Sequence, residues 1–348
     1  MTLTLKTVDH LISSGLVSED QRIDMEKIAK TYAIAVSPLL ASLINPDDPK
    51  DPIGLQFVPA ISELTHTNEE LADPIGDHAH TPVKGIVHRY PDRVLLKAVH
   101  ICPVYCRFCF RREMVGPAGD GSLTDTELEN AIAYITKNKQ IWEVILTGGD
   151  PLILSERRLR NIMTVLSKIE HIRVIRFHSR IPVANPERID DAFVSALTAS
   201  GKTVYIAIHS NHPRELSQPM KEACERLQKA GIQLLSQTVL LKDINDDAQV
   251  LSELMQGFVS LGIRPYYLHH PDLAPGTSHF RISISEGRQI FEQLRGYISG
   301  LCQPTYVIDI PGGFGKVPVT KDYIDDTAPE CIRIRDYQGN WHNYPPRP

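Results

Sequence analysis

Three cysteines fall within eight residues, in His100-Ile-Cys102-Pro-Val-Tyr-Cys106-Arg-Phe-Cys109-Phe-Arg-Arg112. Three thiolates are an informative number. A structural zinc site closes with four ligands, whereas a 4Fe–4S cluster held by three cysteines leaves one iron open to a small molecule. The spacing therefore predicts an iron–sulfur cluster with a free coordination position. Two alternatives stand beside it: a zinc site completed by a distant fourth ligand, and a non-enzymatic module whose cysteines hold structure or pass electrons.

Two further segments could carry chemistry. Ile145-Leu-Thr-Gly148-Gly149-Asp150-Pro151 places glycines where backbone can approach a ligand closely, although a plain strand-to-helix turn would use the same residues. Asp309-Ile-Pro311-Gly312-Gly313-Phe314-Gly315-Lys316 is a glycine-rich loop ending in one lysine. It is not a phosphate-binding GxxxxGK[ST] loop, because Ile310 stands where glycine is needed and Val317 follows the lysine. A lysine on so permissive a backbone can form a Schiff base with pyridoxal phosphate, although most surface lysines are merely solvated.

These segments need a scaffold, and the chain supplies a regular one. Apolar, β-branched runs recur at 94–99, 144–147, 174–178, 204–209, 234–241 and 265–269, with amphipathic stretches between them. Helix starts are signalled by Thr124 with Glu127, by proline at Asn185-Pro186, and by Ser285 before Glu286. After the first unit the runs repeat at about 30 residues, the size of a βαβ unit. The pattern predicts an α/β protein: a partial, open (β/α)6 barrel of the TIM type, with a last strand at 305–310 leading into the glycine loop. Ligands in such folds sit at the carboxyl ends of strands. Cys102, Gly148, Ser179, His209, Asp272 and Lys316 each fall at or just after such an end.

Residues 1–85 read differently, as a helical extension and connector. Segments 7–14 and 19–32 have helical periodicity, with Ser18 and Gln21 as a capping box. Proline density at 45–52 forbids a regular helix, and 66–82 is polar. Residues 86–300 are expected to form the barrel, and 301–348 the lysine loop, a hairpin and a tail.

Composition sets the outer limits. The 348 residues are 42% hydrophobic and 23% charged, with a formal net charge of −5, an ordinary globular balance. The charge gives no global pull towards nucleic acid or anionic membrane. The best apolar stretch, 32–44, is broken by Ser37 and Pro38 and falls short of a membrane span. An N-terminus without signal-peptide character and clustered cysteines point to a cytoplasmic protein.

Cys102-Pro-Val-Tyr-Cys106-Arg-Phe-Cys109 after a first strand resembles the hallmark of radical S-adenosylmethionine enzymes. Together with His88-Arg-Tyr90-Pro-Asp-Arg93, His209-Ser-Asn211-His212-Pro213, Pro265-Tyr-Tyr and the loop to Lys316, it is similar to the lysine 2,3-aminomutase family over about residues 85–340. That resemblance implies a radical amino migration converting L-lysine to β-lysine, and three cofactors: a 4Fe–4S cluster, S-adenosylmethionine and pyridoxal phosphate. It assigns Cys102, Cys106 and Cys109 to the cluster, Lys316 to pyridoxal phosphate, and Tyr90 and Arg93 to the surroundings of that cofactor. It places Gly148, Gly149, Asp150, His209 and Gln237 around S-adenosylmethionine and the aldimine. Arg111 is implied for the substrate carboxylate, with adjacent Arg112 able to serve equally, and Asp272 and Asp309 for the distal ammonium. Phe314 departs from the family's glycine at that position, which bears on the loop's conformation. The resemblance also implies an electron donor such as flavodoxin or ferredoxin and a homo-oligomer. Alternatives within it are supply of β-lysine for modifying elongation factor P, or action on arginine or glutamate. Longer members bind zinc between subunits through a cysteine-rich tail. Here Cys224 occupies the helix position, Cys302 and Cys331 read as ordinary buried thiols, and no such zinc site is expected.

Overall fold

The computed structural model describes residues 3–112, 115, 121–320, 322–325, 327 and 332–344. Its centre is one nine-stranded sheet in sequential order: β1 (Ile86–Tyr90), β2 (Arg93–Val99), β3 (Glu143–Gly148), β4 (Val174–Ser179), β5 (Thr203–His209), β6 (Gln233–Val239), β7 (Arg264–His269), β8 (Thr305–Ile310) and β9 (Gly315–Pro318). Strands β2 to β8 run parallel, while β1 and β9 add antiparallel edges. The expected final strand thus joins the barrel sheet itself, as its seventh parallel member.

The crossovers follow from helical segments on a two-sided sheet. They use α5 (Asp125–Lys137), α6 (Glu156–Ser167), α7 (Ile181–Ala184) with α8 (Asp191–Leu197), α9 (Gln218–Lys229), α10 (Ala248–Ser260) and α11 (Ile284–Glu292). Their apolar faces and the outer strand residues form one continuous core. Thr124 caps α5 with Glu127 closing the box. Two starts differ from expectation. Pro186 opens only a three-residue 3-10 turn, and α8 is capped by Asp190. The cap of α11 is Ser283, not Ser285, because Ser283 lies three residues before Glu286 and completes the box.

The first 85 residues wrap the barrel with α1 (Val8–Ser13), α2 (Arg22–Ala29), α3 (Pro38–Leu43) and α4 (Gly54–Phe57). Ser37 and Pro38, which interrupt the apolar stretch at 32–44, start α3: the serine hydroxyl accepts from Leu40 N and proline takes the first turn. No helix among the described residues is long and apolar enough to cross a membrane. A separate three-stranded antiparallel sheet, β10 (Ile324–Asp325), β11 (Ile332–Arg335) and β12 (Trp341–Tyr344), ends the described chain. Cys302 is buried as expected, whereas Cys331 lies outside the described residues.

The two edges of the large sheet meet at one place. Lys316 N on β9 donates to Tyr90 Oη on β1 at 2.9 Å. The seam of the barrel therefore lies beside the lysine.

Candidate active site

A cavity of about 340 Å³ opens at the carboxyl ends of the parallel strands. It is lined by all three clustered cysteines, Arg111, Gly148, Gly149, Asp150, His209, Gln237, Asp272, Asp309, Lys316, Tyr90 and Arg93. Residues expected from separate motifs therefore share one enclosure, with a cysteine end and a lysine end.

At the cysteine end, residues 100–112 leave β2 as a loop tied down by the N-terminal extension. Tyr105 N donates to Ala35 O at 2.8 Å and Arg107 N to Gln56 O at 2.9 Å. Arg107 and Arg112, both about 1% exposed, converge on the fully buried carboxylate of Glu63. Arg112 also donates to Arg107 O and Gly276 O, each at 2.8 Å, and stacks on Tyr32. Arg112 is thereby committed to structure, and of the two neighbours it is Arg111 that faces the cavity. Burial pushes all three thiols up, Cys106 to about 12, so thiolates there need a cationic partner. Among the described residues no three of His, Cys, Asp and Glu converge closely enough to hold a single metal ion. Three thiols lining one cavity can hold three irons of a 4Fe–4S cluster and leave the fourth open.

The glycine turn is shaped by this loop. A side chain on Gly148 would meet Val99 O at 2.4 Å, and one on Gly149 would meet Ile101 O at 2.3 Å; Gly148 also has φ +113°. The glycines are therefore demanded by neighbouring backbone as well as lining the cavity. Asp150 is spent on protein: its carboxylate accepts from Ser179 Oγ at 2.8 Å, Arg180 N at 2.7 Å, Ile181 N and Leu152 N. Burial raises its pKa to about 6 against those bonds. It fastens the end of β4 to the turn after β3.

At the lysine end, β8 and β9 form a hairpin in which Asp309 pairs directly with Lys316. Lys316 Nζ lies 2.7 and 2.6 Å from the two Asp309 oxygens. His269 Nδ1 is 3.5 Å from the same carboxylate. Burial pushes Asp309 up, but His269 and Lys316 outweigh it and hold the group at about 2. Asp272 goes the other way: burial and the charge of Asp309 raise it to about 7, against Lys316 and Arg111. Phe314 costs the loop nothing, since its φ is not positive. Gly312, Gly313 and Gly315 take the left-handed conformations, and the Phe314 ring is 80% exposed. His80 bonds Gly313 O at 3.0 Å and anchors the loop to the extension.

Arg111 lies between the two ends. Its Nη2 donates to Asp77 at 2.8 Å, with Nη1 turned towards Thr147 Oγ1 at 3.5 Å. Asp77 also meets Arg89 at 3.2 Å and Lys97 at 3.8 Å. Burial pushes Asp77 up, but these three cations keep it below the usual carboxylate range. Asp77 holds the Nε and Nη2 side of Arg111, which leaves Nη1 for an incoming anion. Tyr90 and Arg93 face each other across the β1–β2 turn and also line the cavity, with the guanidinium 3.8 Å from the Tyr90 ring centroid.

Several buried atoms around the cavity lack partners: Gln237 Oε1, His178 Nε2, His269 Nε2, and Nε and Nη1 of Arg180. Buried polar groups are normally satisfied, so these atoms are available to a ligand in the cavity. Glu63, Asp77, Arg180 and His178 were not singled out by sequence reasoning. The partners of Glu63, Asp77 and Arg180 are distant in the chain, and none of the four belongs to a local motif.

A partial, nearly closed (β/α) barrel with a three-cysteine loop after its first parallel strand defines the radical S-adenosylmethionine class. The model of the radical SAM superfamily matches residues 96–254, and a second family model, described as lysine-2,3-aminomutase, matches 291–348. The L-lysine 2,3-aminomutase of Clostridium subterminale is 38% identical over 96% of this chain and 80% of its own, and that of Bacillus subtilis 37% over 99% and 73%. The glutamate 2,3-aminomutase of Clostridioides difficile is 36% identical over 95% of this chain and 78% of its own. A radical SAM methyltransferase structure from Sphaerobacter thermophilus, 18% identical over 66% of this chain and 71% of its own, overlays with a TM-score of 0.46, too loosely to bear on the site. The chain belongs to the lysine 2,3-aminomutase family. It is an isomerase whose cofactors are a 4Fe–4S cluster, S-adenosylmethionine and pyridoxal phosphate.

Proposed function

We propose that this protein interconverts L-lysine and β-lysine by moving the α-amino group to the neighbouring carbon. The observation that carries the reading is the socket at the lysine end. Asp309, with Asp272 in the same cavity, already holds a primary ammonium, that of Lys316, at 2.6 Å. An amino acid with an ammonium at its far end and a carboxylate at the other fits between this pair and Arg111. Glutamate would bring a further carboxylate against two others.

When bound, the cluster with S-adenosylmethionine supplies a radical able to take hydrogen from an unactivated carbon, and pyridoxal phosphate supplies a conjugated ring that spreads the unpaired electron. The chain's residues do the positioning. Cys102, Cys106 and Cys109 hold the cluster, and Lys316 carries pyridoxal phosphate. Asp77 grips one side of the Arg111 guanidinium, leaving the rest for the substrate carboxylate. Once Lys316 is committed to the cofactor, Asp309 is free to join Asp272 around the substrate's ammonium. The enclosed walls keep out water that would quench a radical. Gln237 and His209 face the cavity from adjacent strands, where β5 and β6 pair. The same reading includes a one-electron donor such as flavodoxin or ferredoxin, assembly as a homo-oligomer and a cytoplasmic location.

Anaerobically reconstituted protein is incubated separately with L-lysine, L-arginine and L-glutamate, followed by chiral product analysis. The expected result is β-lysine from lysine alone. Turnover of glutamate in preference to lysine, or a protein holding one zinc and leaving S-adenosylmethionine intact, overturns the reading.

A further inference from the structure

His178 is a partly buried, cavity-lining histidine that no part of the account above uses. Three other inward histidines each have one ring nitrogen engaged, His88 by Tyr134 Oη and His270 by Tyr306 Oη, each at 2.8 Å, and His269 by Asp309, although Nε2 of His88 and His269 is unpartnered as well. His178 Nε2 is sealed from solvent with no partner. The side-chain alternation of β4 puts Arg176 and His178 on its inner face, and both line the cavity. The register partner of His178 on β5 is Ala207, which offers only a methyl group at that level.

The ring lies among the groups the two ends present. Arg176 from its own strand, His209 from β5, Lys316 from β9 and Arg111 from the cysteine loop all act on it. Its ring centroid is 6.4 Å from that of His209. Burial and the three cations keep the imidazole neutral, so it has one donor and one acceptor nitrogen to offer. Lys316 fixes where the reactive carbon of pyridoxal phosphate must sit. Arg176, paired with Glu143 at 3.0 Å and in contact with Tyr266 Oη at 3.2 Å, and Arg93, paired with Asp92 at 2.7 Å, line the same cavity. Lys316, both arginines and His178 thus share one cavity, where a ring carried by Lys316 has His178 as an available hydrogen-bond partner.

We infer that His178 hydrogen-bonds a ring heteroatom of bound pyridoxal phosphate, its phenolic oxygen or its ring nitrogen, and so sets the protonation of the chromophore. This rests on the assignment of Lys316 as the residue that carries the cofactor.

The test loads full-length protein and its His178→Phe, His178→Ala and His178→Gln variants with pyridoxal phosphate. The visible band is titrated with pH, the cofactor Kd is measured, and the adduct is trapped with borohydride for peptide mapping. Thermal unfolding checks that each variant is folded. The Phe and Ala variants are expected to move the titration midpoint by about 0.5–1 pH unit, the worth of one hydrogen bond, and to weaken cofactor retention severalfold. Gln, which keeps a donor and an acceptor, recovers part of both. If the wild-type adduct maps to Lys316 and every folded variant titrates and binds as wild type does, the His178 inference fails alone. If the wild-type protein forms no adduct at Lys316, the lysine assignment fails and takes this inference with it.

Discussion

The two ends of the cavity are built on opposite plans. At the cysteine end, the loop is clamped by buried arginines on a buried glutamate and by backbone bonds to the extension. At the lysine end, the reactive side chain rests on a shared carboxylate at the seam of the sheet, joined to β1 by a single tyrosine hydroxyl. A cluster must be held still, because geometry and potential depend on its surroundings. A lysine that takes up a cofactor and yields to substrate must be able to leave its resting contact. Rigidity and exchange are thus assigned to different elements of one cavity.

The contrast can be broken at either end. Lys316→Ala should have the largest effect: loss of the visible band of bound cofactor and a fall in turnover of about 10⁴-fold or more, with the fold intact by circular dichroism. Survival of the band would remove the lysine end altogether. Glu63→Gln should leave two buried guanidiniums short of charge, lowering unfolding stability by about 3–5 kcal/mol in denaturant titrations, with loss of iron from the purified protein. An unchanged midpoint would show that the cysteine end is not clamped as described.

Asp272→Asn should raise the KM for lysine by about 30-fold or more, with a smaller change in cofactor binding. The sign of the accompanying pH effect follows from burial and the charge of Asp309, which lift Asp272 to about 7: its charge is present above that pH and lost below it. The wild-type KM for lysine should therefore climb as pH falls below about 7, approaching tenfold per unit. The Asn variant should show a flat profile over the same range. The smallest effect is expected for Tyr90→Phe, which removes the hydroxyl that accepts from Lys316 N. About 1 kcal/mol of stability should go, with modestly faster cofactor loss. A Tm equal to wild type would mean that the seam needs no such tie.

Much of this arrangement is legible in the sequence because it is local. The cysteine triplet, the loop to Lys316 and the β-branched runs each announce themselves within a few residues, and the sheet then aligns their ends. Ser283 with Glu286 is equally local, and its three-residue spacing identifies the cap that Ser285 does not make. Ser37-Pro38 reads as an interruption until the serine is seen to cap and the proline to open α3. Glu63 and Asp77 are another matter. Glu63 follows a largely apolar stretch and Asp77 is one of several acids; they pair with arginines 44 and 34 residues away, and only the fold brings them together. Asp150 shows the converse, a residue found through a motif whose carboxylate is consumed by the end of β4.

Asp309 gripping Lys316 also makes the unloaded protein its own competitor. While that tethered amine fills the socket, a free diamine has to displace a neighbour fixed at very high local concentration. Affinity for lysine should therefore emerge only after pyridoxal phosphate has drawn the tether away. Cofactor and amino acid would then arrive in a compulsory order, imposed by occupancy alone and requiring no movement of the barrel.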